Sequence, residues 1–315
     1  MFFPVLVDEK PSCGLIFAAK TLPSSSTWTN IRNSGETLVA VSQSGAGTPN
    51  FAYSTDGGET WTAATTTGMT AGGYTGLAHN GSVFFSAVSG FALGGTTADG
   101  ITWTNRTVPA ATHDLMGITA GNGLFVFLQN ITSRTFFTSS DGASWVTQTD
   151  ILPVAARWNS VAFGAGLFVA VSGYPGAATD VYATSNGSPI TSWTQRQLPV
   201  SDVWRPIVWN GRVFVIAAQG SRNILTSPDG LPPWTAQLFP VGATYNWASL
   251  QANTVGALVA SATNLDTGVY CSNDDAVSWT LKDLTSTGIW QGIGTNGFRF
   301  AIAKQASTIL NATQA

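Results

Sequence analysis

The stretch FAYSTDGGETWT, residues 51–62, decides the fold, because its pattern returns along the chain. Asp56 can accept backbone N–H bonds from the residues that follow, while Gly57 and Gly58 tolerate positive φ, so the stretch predicts a tight turn between two strands. Further copies are GGTTADGITWT, FFTSSDGASWV, YATSNGSPITSWT, ILTSPDGLPPWT and YCSNDDAVSWT. Their tryptophans, Trp61, Trp103, Trp145, Trp193, Trp234 and Trp279, lie 41 to 48 residues apart. Trp28, in TLPSSSTWT, is interpreted as a degenerate seventh copy.

A second phrase lies between these copies, a short turn followed by an apolar strand. Its seven instances are NSGETLVAVS, HNGSVFFSAV, GNGLFVFLQ, GAGLFVAVS, NGRVFVIAA, ANTVGALVAS and TNGFRFAIA. Turns of this type between β-branched and aromatic runs predict β-hairpins. Each unit of about 43 residues therefore predicts four antiparallel strands, the size of a propeller blade. We expect an all-β chain, a seven-bladed β-propeller of four-stranded antiparallel blades.

The two ends of the chain predict how the ring closes. After TNGFRFAIA only STILNAT remains, which is enough for one more strand of the last blade. We expect residues 15–30 to supply the missing outer strand, so that the N-terminal strand pairs with the C-terminal blade and covers its exposed edge. Residues 1–315 then form a single domain, with residues 1–14 as an N-terminal extension.

The turn motif resembles the Asp-box (BNR) repeat of sialidase-like β-propellers, of the kind found in phage virion and tail proteins. Ser54, Asp56, Gly58, Thr60 and Trp61 match its Ser-x-Asp-x-Gly-x-Thr-Trp pattern completely, whereas other copies depart from it. The structural aspartates of the box are predicted to be Asp56, Asp99, Asp141, Asp229 and Asp274. The resemblance implies that the box lies on turns away from the active face, and that it is structural and not a metal site.

Composition excludes several classes of function. Only 9% of residues are charged and the net charge is −3, so the 13 Lys and Arg cannot neutralise a run of phosphates, and we expect no nucleic-acid partner. His79, His113, Cys13 and Cys271 lack the clustered spacing of a zinc site, and we expect no metal and no cofactor. Two free thiols are the preferred interpretation of the cysteines, with a distant disulfide as the alternative. The first residues lack the pattern of a signal peptide and no apolar run spans a bilayer, so we expect neither export by that route nor membrane insertion.

Binding residues are expected where the first strand of each blade begins, because loops on a rigid scaffold carry function. An aromatic residue recurs ten residues before the Phe of the second strand. The candidates are Tyr74, Trp158, Trp204, Trp247 and Trp290, joined by the nearby polar residues Asp114, Arg157 and Arg205. Either these aromatics wedge between blades, burying apolar area, or several stay exposed around the channel mouth and stack on a ligand.

Enzymatic interpretations are weaker. The three glutamates, Glu9, Glu36 and Glu59, cannot furnish the Tyr–Glu pair of a sialidase on the functional face, so we predict no enzymatic activity of that type. Glycoside hydrolysis needs two opposed carboxyl groups, and Asp114, Asp180, Asp202 and Asp266 lie in candidate loops.

The leading hypothesis is a non-enzymatic structural or attachment module of a phage virion, such as a tail or head appendage. Its partners would be other virion proteins and possible host-surface glycans or receptors, and its location the virion. A secreted or surface glycan-binding lectin, acting outside the cell, is the first alternative. A polysaccharide hydrolase is the second.

Overall fold

The fold is described from a computed structural model of the 315-residue chain. The described residues are 13, 15–43, 51–109, 117–129, 131–173, 181–186, 190–240, 246–263, 265, 268–284, 290–296, 299–304 and 308–314. All regular elements in these ranges are β-strands, numbered β1 to β28.

The strands follow one another with turns of a few residues. β1 (Leu15–Thr21) comes first. It is followed by β2 (Trp28–Ser34), β3 (Thr37–Ser42), β4 (Phe51–Ser54) and β5 (Thr62–Ala63); then β6 (Tyr74–His79), β7 (Phe84–Val88), β8 (Leu93–Thr97) and β9 (Thr104–Thr107); then β10 (Gly117–Gly121), β11 (Leu124–Leu128), β12 (Phe136–Ser139) and β13 (Val146–Gln148). The second half contains β14 (Trp158–Gly164), β15 (Leu167–Ser172), β16 (Val181–Asn186) and β17 (Thr194–Gln197); β18 (Trp204–Trp209), β19 (Phe214–Ala218), β20 (Asn223–Ser227) and β21 (Thr235–Leu238); β22 (Trp247–Ala252), β23 (Leu258–Ala262), β24 (Gly268–Ser272) and β25 (Thr280–Asp283); and β26 (Trp290–Thr295), β27 (Phe300–Lys304) and β28 (Thr308–Gln314).

The strands form four-stranded antiparallel sheets arranged as a β-propeller. Six sheets each use four strands that are consecutive in sequence, from β2–β5 to β22–β25. The remaining sheet is composite, with the order β1-β28-β27-β26, so it takes strands from both ends of the chain. The first strands of neighbouring sheets contact each other in a closed circle, β2 to β6, β10, β14, β18, β22, β26 and back to β2.

The expected boundary of the closing segment, residues 15–30, is wrong. β1 ends at Thr21, and it pairs with β28 from Leu15↔Gln314 to Thr21↔Thr308. Pro23, which has no N–H to donate, follows within two residues, and the chain crosses to the next sheet. Trp28 is therefore not a degenerate copy of the turn motif: it begins β2, the innermost strand of that sheet. Only β1, and not β2, belongs to the composite sheet.

The preference for two free thiols is also wrong, because Cys13 and Cys271 form a disulfide with their Cα atoms 6.0 Å apart. Cys13 lies just before β1, and Cys271 lies in β24 of the adjacent sheet. The disulfide thus fastens the entrance of the composite sheet's outer strand to its neighbour. Sequence spacing gave no sign of it, since 258 residues separate the two cysteines.

The core lies between adjacent sheets, where each face packs on the next. Between the composite sheet and that of β2, for example, Trp28, Ile31 and Trp61 pack with Ala301 and Ile309. Fully buried aromatic side chains fill these wedges throughout the ring, and each is worth about 2 to 3 kcal/mol of apolar burial. The wedges hold the first strands at a fixed distance around the axis.

Candidate functional site

A cavity of about 440 Å³ lies on the propeller axis, on the side where the first strands begin. Its lining comes mainly from the second to fourth residues of these strands. Thr29, Thr75, Asn159, Arg205 and Ala248 are all second residues, directly after the aromatic that begins the strand. Gln43, Gln219 and Thr263, each one residue past the end of a second strand, add polar groups.

A bulge in the first strands explains why these residues face the axis. The register shifts directly after the aromatic, between Trp158 and Ser160 and between Tyr74 and Gly76, for example. The same shift follows Trp28, Trp204, Trp247 and Trp290. A bulge re-aims side chains, so the aromatic can turn into the wedge between sheets while its successor turns toward the cavity.

Small residues keep the first strands close together at the third position. A Cβ on Gly292 would lie 3.3 Å from the backbone N of Asn30, and one on Gly117 would lie 3.3 Å from the Cα of Ser160. A side chain there would force neighbouring strands apart. The narrow axis therefore depends on glycine at these two places.

The predicted aromatic residues are buried between sheets. Tyr74, Trp158, Trp204 and Trp290 are at most 1% exposed, and Trp247 is 4% exposed. The Tyr74 hydroxyl donates to the carbonyl of Thr70 at 3.1 Å, and burial raises its pKa to about 12. Of the five, only Trp247 contributes to the described lining of the axial cavity. Indole faces at the other positions are covered and offer no stacking surface.

The predicted polar residues have different surroundings. Arg205 lines the axial cavity, whereas Arg157 is half-buried outside its described lining and accepts a backbone hydrogen bond from Gly173 at 3.4 Å. Asp114 lies outside the described residues, as do Asp180 and Asp266.

Asp202 is used within its own loop region. Its Oδ2 accepts from the Ser221 hydroxyl at 2.6 Å and from Asn223 Nδ2 at 2.8 Å, and its Oδ1 accepts from the backbone N–H of Val203 at 2.7 Å. These bonds join the start of β18 to the turn before β20. The carboxylate thus acts as a structural link in the free protein.

Sequence reasoning missed Arg32, the fifth residue of β2. At the same place in the neighbouring first strands stand Ala78, Ala162, Val208 and Gly294, so a long cationic side chain is exceptional at this level of the axis. Arg32 Nη1 donates to Asn30 Oδ1 and to the carbonyl of Ile31, both at 2.7 Å. The strand alignment contained the signal, since Arg replaces small side chains.

Arg32 joins the axial cavity to a second cavity of about 250 Å³ on the other side of the ring. Ile118, Val161, Ile207 and Gln251 also line both. The two cavities together form what we call the axial channel. Its second part reaches His79 and Trp209, at the ends of first strands.

Charge in the axial channel has one sign. Arg32 and Arg205 contribute guanidinium groups, and the described lining of both cavities contains no Asp or Glu. Burial lowers the pKa of His79 and therefore favours its neutral form. The channel of a protein with net charge −3 is thus cationic.

The predicted structural aspartates lie on turns between third and fourth strands, where they accept backbone bonds. Asp141 Oδ1 accepts from the N–H groups of Ser144 at 2.7 Å and Ala143 at 2.8 Å, and these bonds hold the pKa of its carboxyl at about 2. Asp56 accepts from the Thr60 N–H at 2.9 Å. Asp99, Asp229 and Asp274 make the corresponding bonds in their own turns.

Tryptophans complete several of these turns. Trp61 Nε1 donates to the carbonyl of Gly58 at 3.0 Å, and Trp145 Nε1 donates to that of Gly142 at 3.1 Å. The turns lie at the opposite ends of the strands from the axial cavity mouth. They hold hairpins together and take no part in the cavity.

The described residues contain no group of three or more His, Cys, Asp or Glu side chains that could hold a metal ion. They also include no helix of the length and apolarity needed to cross a membrane.

Comparisons with known proteins support the fold. No protein-family model matches the sequence, and no curated protein matches it either. Among solved structures the chain is similar to YCF48 bound to a D1 peptide, at 17% identity over 95% of each chain, with a TM-score of 0.69. It is similar to virginiamycin B lyase from Staphylococcus aureus, at 12% identity over 96% of this chain and 100% of that one, with a TM-score of 0.78. The WD40 propeller domain of Doa1 matches at 11% identity over 96% and 98%, with a TM-score of 0.69.

The β-propeller is thereby confirmed. At these identities the likeness concerns the fold alone, and none of these structures bears on the resemblance to Asp-box proteins or on a phage origin.

Proposed function

We propose that this chain is a non-enzymatic attachment module of a virus particle, a β-propeller that recognises a host-surface glycan through the axial cavity. The chemistry of the lining carries the proposal. Hydroxyl and amide groups of Thr29, Asn30, Ser249 and Gln251 converge there with the guanidinium of Arg205. Such groups supply the paired donors and acceptors that fix a polyhydroxyl ligand.

The same lining argues against catalysis. General acid–base chemistry needs a side chain whose pKa lies near the working pH, usually His, Asp, Glu, Cys, Lys or Tyr. The described residues of the axial cavity include none of these types. A site of this composition binds a ligand without transferring protons.

The covered indoles change the expected mode of recognition. Stacking on Trp158, Trp204 and Trp290 is unavailable because these side chains are buried between sheets. Hydrogen bonds from the polar lining, with the apolar side chains of Ile207 and Leu250 beside them, replace it.

The disulfide supports a location outside the reducing cytosol. Disulfides persist on secreted proteins and on virion and cell surfaces, and are rare in the cytosol. The Cys13–Cys271 bond fits a virion surface, and the low content of charged residues fits stable assembly with other virion proteins.

The structural neighbours support a binding role for this fold without defining it. One of them holds a D1 peptide, and another is a lyase. Since one fold carries both binding and catalysis, the choice for this chain rests on its own cavity.

A glycan array tests recognition, with the cavity blocked by Ala248→Trp. Ala248 is exposed and lines the cavity, so we expect an indole there to abolish glycan binding. Ala236→Trp is the matched control, because Ala236 is exposed on the outer strand β21. Binding by the Ala248→Trp protein equal to that of wild type would refute the axial site.

Two further measurements test the remaining parts. Mass spectrometry of purified particles should detect the chain, and its absence from particles would remove the virion role. Incubation with bacterial surface polysaccharide should release no reducing ends. Release that Asp114→Asn, Asp180→Asn or Asp266→Asn abolishes would establish a hydrolase instead.

A further inference from the structure

We propose that the axial channel is an oxyanion site centred on Arg32, so that the recognised glycan is acidic and carries a carboxylate, sulfate or phosphate group. This inference rests on the proposed glycan recognition for its ligand class. The anion site itself follows from the channel.

Arg32 is a cation without a carboxylate beside it. Only Nη1 of its guanidinium makes hydrogen bonds to the described residues, with Asn30 Oδ1 and the Ile31 carbonyl. Its Nε and Nη2 donors have no printed partner among the described residues, and no Asp or Glu lies in the described lining of either cavity. The other ion pairs of the described chain, Lys20–Glu59, Arg212–Asp275 and Arg299–Glu59, lie elsewhere.

The surroundings of Arg32 make an external anion favourable. The guanidinium lies deep within the ring but keeps access to solvent through the channel. Burial lowers its pKa to about 10, which still leaves it charged at neutral pH. A desolvated cation is costly unless it is paired, and a guanidinium matches the geometry of a carboxylate, sulfate or phosphate.

Asn30 orients the guanidinium for this role. Its Oδ1 accepts from Arg32 Nη1, while its Nδ2 donates to the carbonyl of Thr75 in the neighbouring sheet at 3.2 Å. The side chain of Arg32 is thus tethered across the first strands β2 and β6. A fixed fork loses less conformational entropy on binding an anion than a free one.

Asn159 provides a second polar feature of the same cavity. It is 2% exposed, its Nδ2 donates to the carbonyl of Gly173, and its Oδ1 has no hydrogen-bond partner among the described residues. An unpaired buried acceptor favours a ligand that donates. A sugar acid meets both demands, since its anionic group accepts from Arg32 and its hydroxyl groups donate.

Isothermal titration with sodium sulfate tests the anion site, with chloride exchanged so that ionic strength stays constant. We expect saturable binding to the wild-type chain and binding at least roughly tenfold weaker to Arg32→Gln, because charge-assisted hydrogen bonds are lost. Arg106→Gln is the matched control. Arg106 lies in the outer strand β9, where its Nε donates to Thr96 Oγ1 at 2.9 Å, so its replacement should leave sulfate binding unchanged.

A second variant tests the site without removing Arg32. Gln251 lines both cavities and occupies the same strand position in β22 as Arg32 does in β2. Gln251→Glu supplies an internal carboxylate, which should compete with sulfate and weaken binding by a similar factor. Folding of each variant is checked by circular dichroism.

Sulfate binding that is equal in wild type, Arg32→Gln and Gln251→Glu would overturn the anion site, as would the absence of saturable binding to wild type. A glycan panel then separates this inference from the proposed function. Arg32-dependent binding of uronate-, sulfate- or phosphate-bearing glycans over their neutral forms supports both. Neutral glycans bound without dependence on Arg32 would leave glycan recognition standing and refute the anion site. Sulfate bound at Arg32 with no glycan bound would do the reverse.

Discussion

Removal of the disulfide should weaken the whole ring and not only its N-terminal end. The perturbation is the double substitution Cys13→Ser and Cys271→Ser. The bond links residues 258 apart, and closing a loop of that length in the unfolded chain corresponds to about 5 to 6 kcal/mol at 25 °C on the chain-entropy model. Native disulfides measured in small domains give about 2 to 5 kcal/mol, so we expect a loss near the upper part of that range.

The assay is guanidinium chloride unfolding followed by tryptophan fluorescence, because the indoles lie in the wedges between sheets and report on the core. Wild-type protein treated with a reductant should unfold at the same midpoint as the double variant. The reductant should have no effect on the variant itself, which controls for side reactions. A midpoint shift worth less than about 0.5 kcal/mol would refute the reasoning that this bond constrains ring opening.

Three further outcomes follow from the same packing and turn geometry. Asp141→Ala should lower the free energy of unfolding by about 1 to 2 kcal/mol, through loss of two backbone hydrogen bonds, and leave glycan binding unchanged on an array. Because the folded-state pKa values of Asp56 and Asp141 are depressed to about 2, their stabilisation is fully present above pH about 4 and lost as pH falls toward 2. Urea unfolding between pH 7 and pH 2 measures this, and Asp56→Asn plus Asp141→Asn should flatten the profile; an unchanged profile would show that these carboxylates do not contribute. Trp158→Ala should cost about 3 to 5 kcal/mol in chemical unfolding, as expected for a fully buried indole, and a loss below about 1 kcal/mol would contradict its place in the wedge.

The repeat pattern predicted the sheets well because it records local physics. Asp141 and Gly142 specify a turn by hydrogen bonding and positive φ, and Trp145 closes it, so each hairpin is encoded within a few residues. The β-propeller follows once such hairpins recur at blade length. Strand ends were less accessible, as at Thr21, since only the crossing to the next sheet determines where β1 stops.

The candidate site was only partly predictable. Arg205 was found because it follows an aromatic at the start of β18. The orientation of each aromatic was not, because a bulge decides which of two adjacent side chains enters the wedge, and a bulge changes register without a clear sequence mark. Arg32 and the Cys13–Cys271 bond depend on contacts between distant parts of the ring, which local pattern does not encode.

The most direct test of axial recognition is anomalous diffraction from crystals of the wild-type chain soaked in selenate, an isostere of sulfate. The account predicts an anomalous peak inside the axial channel, within hydrogen-bonding distance of the Arg32 guanidinium, and its disappearance in Arg32→Gln crystals. Selenate peaks confined to the outer surface of the ring, or a channel peak that persists in Arg32→Gln, would contradict it.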